Sequence, residues 1–387
     1  SDMASLSKKQ DSLLKKIEEL KFQKIHEDLD KLGLPKVNPG EEVVYHLAYA
    51  LVYAEPYEQA KWVAHIILPD VVNGNEGRSN DFRPDEKIKT GSAVETDYFL
   101  RIPITDSTFK YDGFGYDRGH LAPSADFRYS KKVLSESYLY SNMSPQVAKL
   151  NRGRWAELED VVRQYVVRNK TQVYVVTGPV LRPGLPKIER GTNKVSIPEF
   201  YFKVALDETN QRAIGFLMPN KDCEYPVMSY ACSIDSIESV TGIDFFASLP
   251  DDKEQMLESK FDVNKWVGER ELGDVQPMRA DSLPKNTFNT VQARYHIGKN
   301  ENVRICGTVV STKLSSKGNI FLNLDKKFPN QIFSISIFKD YVPNFSYAPD
   351  TFLAGKTICV TGKVTDFNGT ATVNITNEKA IEILDED

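Results

Sequence analysis

One histidine sits on a glycine-rich bend, Tyr116-Asp117-Arg118-Gly119-His120, ahead of the run LAPSADF. Glycine there lets the backbone approach a bulky ligand, and histidine is the usual general base near neutral pH. In sequence it lies among Arg118, Arg128, Lys131, Lys132, Lys149, Arg152 and Arg154. Two asparagines, Asn142 and Asn151, bracket a loop that leads into a helix. Amide and carboxylate oxygens suit a hard cation such as Mg²⁺, which keeps most of its waters and needs few protein ligands. Arginine binds phosphate with a planar fork. A lone base, a hydrated cation and clustered arginine together fit phosphodiester hydrolysis.

Strands mixed with helices, without a regular βαβ alternation, must position these groups, and they predict an α+β fold. Leu6, Leu13, Ile17, Leu20, Ile25, Leu29 and Leu32 lie among lysines and glutamates, the pattern of an amphipathic helix that Gly33 and Pro35 end. Its spacing breaks between Leu20 and Ile25, which favours a docking arm over a coiled coil. Val43–Ala54 reads as a buried helix or strand, Ala60–Leu68 as a strand, and 69–92 as a long polar surface loop. A strand begins in Asp97–Pro103. Helices are expected at Ser135–Asn142 and Arg154–Val167, strands at Val173–Thr177, Phe200–Leu206 and Ala213–Met218, and a closing helix from Ile234 towards Leu249. Proline, Asn and Lys accumulate between about 275 and 300, as in a linker. Beyond it Val303–Lys313, Ile320–Leu324, Ile332–Phe338, Thr357–Thr365, Ala371–Ile375 and Ala380–Leu384 read as the short strands of a small barrel.

The tetrapeptide DRGH (117–120) is followed, 21 positions after His120, by SNxxPQxxxLNxGxW from Ser141 to Trp155. This pair of motifs resembles the DNA/RNA non-specific endonuclease family, the endonuclease G-like ββα-metal nucleases. The similarity extends over roughly 41–265 and takes in AKWVAHIIL at 60–68, Arg78, Thr177-Gly178-Pro179 and TGIDFF at 241–246. It implies an α+β nuclease domain at 41–270 with a central antiparallel sheet flanked by helices. An N-terminal amphipathic helix (1–40) precedes it, and a linker (271–295) leads to an OB-fold-like domain (296–387).

Carried over by position, the resemblance implies that His120 is the general base and Asn151 the direct metal ligand. Arg78 and Arg118 would steady the phosphate, Asn142 would hold the loop and histidine, and Glu159 would hydrogen-bond a water on the cation. Asn151 and Glu159 would be about 80° and about 12 Å apart on a regular helix, which argues against both ligating the ion. Arg128, Lys149, Arg152 and Arg154 are the substrate-binding candidates. The cofactor implied is Mg²⁺, with Mn²⁺ or Ca²⁺ able to occupy the site. The implied reaction is endonucleolytic hydrolysis of DNA and RNA to 5′-phosphate and 3′-hydroxyl ends.

Composition bounds these readings. A chain of 387 residues suggests two or three domains, and 18 Tyr, 20 Phe and 3 Trp are ample material for cores. No uncharged apolar run is long enough to span a membrane. The net charge of −5 means that a polyanion must be held by local basic clusters and a metal. Four cysteines without CxxC spacing allow one or two disulfides, with buried thiols the plainer reading. His26, His46, His65 and His296 lack ligand-like spacing and read as core or helix-face residues. Phe321, Phe333 and Phe338 are either base-stacking platforms or core, and nine Lys and Arg against ten Asp and Glu over 301–387 argue against a strong electrostatic groove. The expected partners are DNA and RNA, with a homodimer through the N-terminal helix and an inhibitor protein as further candidates. The rival reading is a nucleic-acid-binding protein led by the barrel, its nuclease half catalytically silent. Ser1, Asp2 and Met3 look like residues left ahead of the true start. An export signal in the parent chain would place it in a secreted or periplasmic location. The acidic stretch Glu382–Asp387 reads as a solubilising end.

Overall fold

The computed structural model describes residues 2–225, 227–267 and 274–384. Residues 271–273 of the expected linker and the last three of the acidic end lie outside them. The chain divides into two compact units, Ser1–Cys223 with Val227–Gly268, and Glu224–Pro226 with Glu269–Asp387.

The first unit opens with α1 (Asp2–Asp28), followed by β1 (Val43–Tyr45), β2 (Tyr49–Ala54), β3 (Gln59–Ile67), β4 (Phe99–Pro103), β5 (Phe109–Gly113) and β6 (Asp117–His120). It continues through α2 (Lys131–Glu136), β7 (Met143–Gln146), α3 (Trp155–Asn169), β8 (Val173–Pro179), β9 (Phe200–Asp207) and β10 (Arg212–Pro219). It ends with β11 (Ala231–Cys232), α4 (Ile234–Thr241), α5 (Asp251–Glu258) and α6 (Val263–Trp266).

Seven of these strands form one antiparallel sheet in the order β1-β2-β3-β8-β9-β10-β11. The interior strand β3 is buried at every position but Lys61, which explains its near-continuous apolar run. Trp62, Val63, Tyr165, Phe202 and Phe216 belong to the core that joins sheet and helices. The fold is α+β, as the mixed pattern predicts. A separate two-stranded ladder, β6–β7, pairs Asp117 with Gln146 and His120 with Met143.

Several local expectations shift. The helix expected at Ser135–Asn142 ends at Glu136. Tyr138 and Tyr140 then turn inward onto Phe82, with ring centroids 4.9 and 6.2 Å away, and the chain passes into a short 3₁₀ turn at Tyr140–Asn142. In α1 apolar burial is confined to the C-terminal end, while Glu18 accepts from Ser130 Oγ at 2.7 Å further back along the helix. Phe22 and Ile25 are buried, as are Leu29 and Leu32 just beyond it, whereas Leu6, Leu13, Ile17 and Leu20 are exposed. The ambiguous segment Val43–Ala54 is two strands.

The second unit holds β12 (Thr287–Asn289), β13 (Asn302–Leu314), β14 (Ile320–Leu324), β15 (Phe333–Ile337), α7 (Pro349–Phe352), β16 (Thr357–Phe367), β17 (Thr370–Asn374) and β18 (Ile381–Ile383). Pairing runs β13-β14-β15-β17-β16 and closes from β16 back to β13, an OB-like barrel. β12, within the expected linker, pairs in parallel with β13. Phe333 is wholly buried and belongs to the barrel core, Phe321 is half-buried, and Phe338 is exposed. Buried thiols fail as a reading for two cysteines. The register puts Cys306 opposite Cys359, and they form a disulfide, while Cys223 and Cys232 are thiols. No described helix is long and apolar enough to cross a membrane.

Candidate active site

The ladder β6–β7 and the start of α3 form two strands and a helix around the sequence motifs. The ladder is bolted to the large sheet by polar side chains. Ser144 Oγ lies 2.6 Å from both Gln59 Oε1 and Tyr201 Oη, and Asn220 Nδ2 donates to the Pro145 carbonyl at 3.0 Å. Gly119 is required by its neighbour: a Cβ there would come within 2.1 Å of Oε1 of Gln146, a fully buried side chain.

His120 lies at the end of β6. Its ring meets Tyr138 edge-on at 4.7 Å and Phe82 at 5.9 Å. The residue is half-buried, but Nε2 itself is enclosed and has no hydrogen-bond partner among the described residues. Burial, followed by the charges of Arg78 and Arg118, pushes its pKa down to about 3. The imidazole is therefore neutral at physiological pH, with a lone pair to offer.

The two arginines are held by the same aromatic group. The Arg118 guanidinium lies 3.6 Å from the Phe82 ring centroid and 4.8 Å from that of Phe99, and it donates to Tyr140 Oη at 3.3 Å. Arg78, exposed in the long loop, lies 5.9 Å from the Tyr138 centroid. Such stacking holds a cation in place without neutralising it.

Asn151 is in a single π-helical turn, Leu150–Arg154, which is separated from α3 by non-helical backbone at Gly153. Its Nδ2 donates to Asp117 Oδ2 at 2.9 Å, so the opposite face of the amide presents Oδ1 as an acceptor. Arg152 grips the same carboxylate with a fork at 2.8 and 2.7 Å. The break at Gly153 removes the premise of the helical arithmetic between Asn151 and Glu159, because that arithmetic assumes one regular helix.

Glu159 lies one turn into α3. Burial raises its carboxyl above the usual range, while Lys203, Arg163 and Arg78 favour the charged form. Lys203 is itself 2% exposed in β9 and donates to Thr177 Oγ1 at 2.7 Å. Arg163 and His65 both meet the buried Asp126, each at 2.8 Å. A chain of buried charges therefore runs beneath α3.

Asn142 is fully buried, and the hydrogen bonds of its side chain go to backbone. Its Oδ1 accepts from Ala122 N–H at 2.9 Å, and Nδ2 donates to the carbonyls of Ala122 and Ser137 at 2.9 and 2.8 Å. The loop leaving His120 is thus stitched to the one entering β7. Arg128 donates to the Glu76 carbonyl at 3.0 Å, Lys149 faces Asp222 at 3.4 Å, and Arg154 pairs with Glu157. The structure thus gathers Arg78, Arg118, His120 and Glu159 in one electrostatic neighbourhood. It holds Asn151 against the other end of β6 and keeps Asn142 behind the site.

Sequence reasoning missed Asp117 as a partner for Asn151, the Phe82–Tyr138 platform, and Lys203. The last had a visible signal, a lone lysine inside the otherwise apolar strand FYFKVAL. The other histidines are accounted for structurally. His46 lies 2.8 Å from Asp85, His26 lies 2.6 Å from the His46 carbonyl, and His296 lies 3.1 Å from Glu301.

The family model described as DNA/RNA non-specific endonuclease matches residues 30–252. A nuclease of Nostoc sp. is 33% identical over 239 residues, which cover 59% of this chain and 81% of that one. Mitochondrial endonuclease G of Bos taurus is 31% identical, over 57% of this chain and 74% of its own. A nuclease of Syncephalastrum racemosum is 32% identical, over 60% and 75%. Among solved structures, a chain of an EndoG/EndoGI inhibition complex aligns with 27% identity and a TM-score of 0.48, over 59% of this chain and 94% of that one.

Proposed function

Since the chain belongs to the DNA/RNA non-specific endonuclease family and is a nuclease, we propose that it cuts DNA and RNA endonucleolytically in a Mg²⁺-dependent hydrolysis that uses His120 as general base. The observation that carries this reading is the state of His120. Its imidazole is neutral, packed against Phe82 and Tyr138, and lies in the field of two arginines that the surrounding aromatic side chains hold in place.

His120 takes the proton of the attacking water on Nδ1, the ring nitrogen that is not enclosed. Arg78 and Arg118 hold the non-bridging phosphate oxygens as charge builds on them. Asn142 keeps the loop after His120 in register, so the imidazole stays aimed at the ester. Asn151 Oδ1, turned outward by Asp117, is the atom that would hold Mg²⁺, with Mn²⁺ or Ca²⁺ as substitutes. A neutral amide oxygen beside a carboxylate-held turn fits a hard, largely hydrated cation. Bound there, the ion would supply Lewis-acid stabilisation of the phosphate and of the leaving 3′-oxygen. Glu159, whose carboxyl burial raises and Lys203 draws back towards the charged form, would orient a water at the site. Arg128, Lys149 and Arg154 line the approach for the nucleic-acid backbone, whereas Arg152 serves chiefly to hold Asp117. Contacts of this kind reach phosphate rather than bases, so little sequence preference follows. The products would be 5′-phosphate and 3′-hydroxyl ends.

Plasmid and ribosomal RNA incubated with the full chain test the reading. Cutting with Mg²⁺ that EDTA abolishes supports it. Retention of both substrates without cutting would favour a barrel-led binding protein. The exposed leucines of α1 support self-association through that helix. Sedimentation of the full chain against one lacking residues 1–20 tests this: a dimer that becomes a monomer supports it, and an unchanged mass rejects it.

A further inference from the structure

A second group of hard oxygen donors lies on α4 and α5, outside the residues assigned to catalysis. Asp235 and Glu238, three apart on α4, share one helix face. Glu258 is the last residue of α5. One carboxylate oxygen from each lies within 4.8 Å of the others. Glu258 is only 5% exposed, and its Oε1 is enclosed without a hydrogen-bond partner among the described residues. An unpartnered buried carboxylate is costly. This one also ends a helix, where the backbone dipole is negative and repels it. Glu254 and Asp244 add further negative charge around it. Lys36 pairs with Asp244 at 3.6 Å from a largely exposed position. Glu238 is fixed in orientation, because its Oε1 accepts the Phe245 N–H at 2.7 Å.

We propose that Asp235, Glu238 and Glu258 form a calcium site that clamps α4 to α5. Ca²⁺ accepts six to eight oxygens at about 2.3–2.6 Å in irregular geometry, so ligands on opposite sides of one ion lie up to about 5 Å apart. Three carboxylates within 4.8 Å meet that limit, and water completes the shell. Mg²⁺ is disfavoured, since it demands near-regular octahedra and gives up its waters reluctantly. The ion would offset the mutual repulsion of the acids and replace the partner Glu258 lacks. The effect would reach the large sheet, because α4 lies against β10: a Cβ on Gly215 would come within 2.6 Å of Ile237 Cδ1. The role is structural and separate from the proposed reaction at His120. The rival is a proton shared within the cluster, with no ion.

The test is calcium titration of the metal-free full chain by calorimetry, with thermal unfolding in parallel, for wild type and Glu258→Gln. The proposal expects one fewer Ca²⁺ per chain in E258Q, with a dissociation constant in wild type of about 10⁻⁴–10⁻³ M. It expects a calcium-dependent rise in Tm of several degrees in wild type that E258Q loses. Mg²⁺-dependent plasmid cutting should be unchanged in E258Q. Equal calcium stoichiometry in the two proteins would overturn the site. So would the absence of a calcium-dependent Tm rise in wild type, the result a shared proton gives. The exposed ligand provides a second variant, since Asp235→Asn must also weaken calcium binding at least tenfold. Unchanged affinity there rejects the proposal even if E258Q fails to fold. Because the readout is the difference between proteins, it stands whether or not Asn151 holds Mg²⁺.

Discussion

Asn151 donates its Nδ2 to Asp117 Oδ2 at 2.9 Å, across 34 positions of sequence, and this bond decides which face of the amide is presented outward. Removing it in Asp117→Ala lets the amide rotate. Partners that orient a ligand typically matter by about 10–100-fold in metal affinity or activity. The Mg²⁺ concentration for half-maximal plasmid cutting should therefore rise by about that factor in D117A. An unchanged Mg²⁺ dependence would mean that Asp117 does not set the ligand.

The His120 imidazole should titrate far below the ordinary histidine range, because burial and two arginines disfavour its charged form. Removing one positive neighbour raises the pKa towards the usual 6.5. In Arg118→Met the His120 Cε1–H resonance, followed by NMR, should move at a higher pH than in wild type. No change would show that the guanidinium does not act on the ring.

Lys203 lowers the pKa that burial raises at Glu159, so taking the lysine away drives that carboxyl towards its neutral form. The acid limb of kcat/KM should move to higher pH in Lys203→Met, with partial recovery of activity under alkaline conditions. Lys203→Arg, which keeps the charge, should shift it less. Coincident profiles for all three proteins would remove Glu159 from the mechanism.

Asn142 satisfies three backbone groups from a buried position. Asn142→Ala leaves them without partners and should destabilise the chain by about 2–4 kcal/mol, at about 1–3 kcal/mol per orphaned group less whatever water recovers. Denaturant unfolding measures this, and kcat should fall together with stability. A loss of activity at full stability would give Asn142 a direct role instead.

These outcomes depend on features the sequence exposes unevenly. DRGH and the SNxxPQ…LNxGxW run mark the ladder and the helix after it, because their spacing is local and each residue type has a distinct chemical use. The barrel strands show through alternation and turn residues. Other features lie beyond local pattern. The break at Gly153 depends on how the turn packs, so counting along an assumed regular helix has no footing between Asn151 and Glu159. His65, Asp126, Arg163 and Lys203 come from separate elements, and only the assembled sheet and α3 bring them together. The apolar period of α1 continues through Leu6 and Leu13, although only residues from Phe22 onward are buried, because periodicity records an apolar face and not what covers it. Likewise the disulfide follows from the β13–β16 register, which cysteine counting cannot supply.

The most direct test of the central claim is the single-turnover rate of plasmid cleavage by His120→Ala at saturating Mg²⁺, with its folding checked by unchanged thermal unfolding. General-base catalysis of this kind contributes about 10²–10⁴-fold, so the rate should fall by at least about a hundredfold. A folded H120A protein that cuts at the wild-type rate would contradict the account.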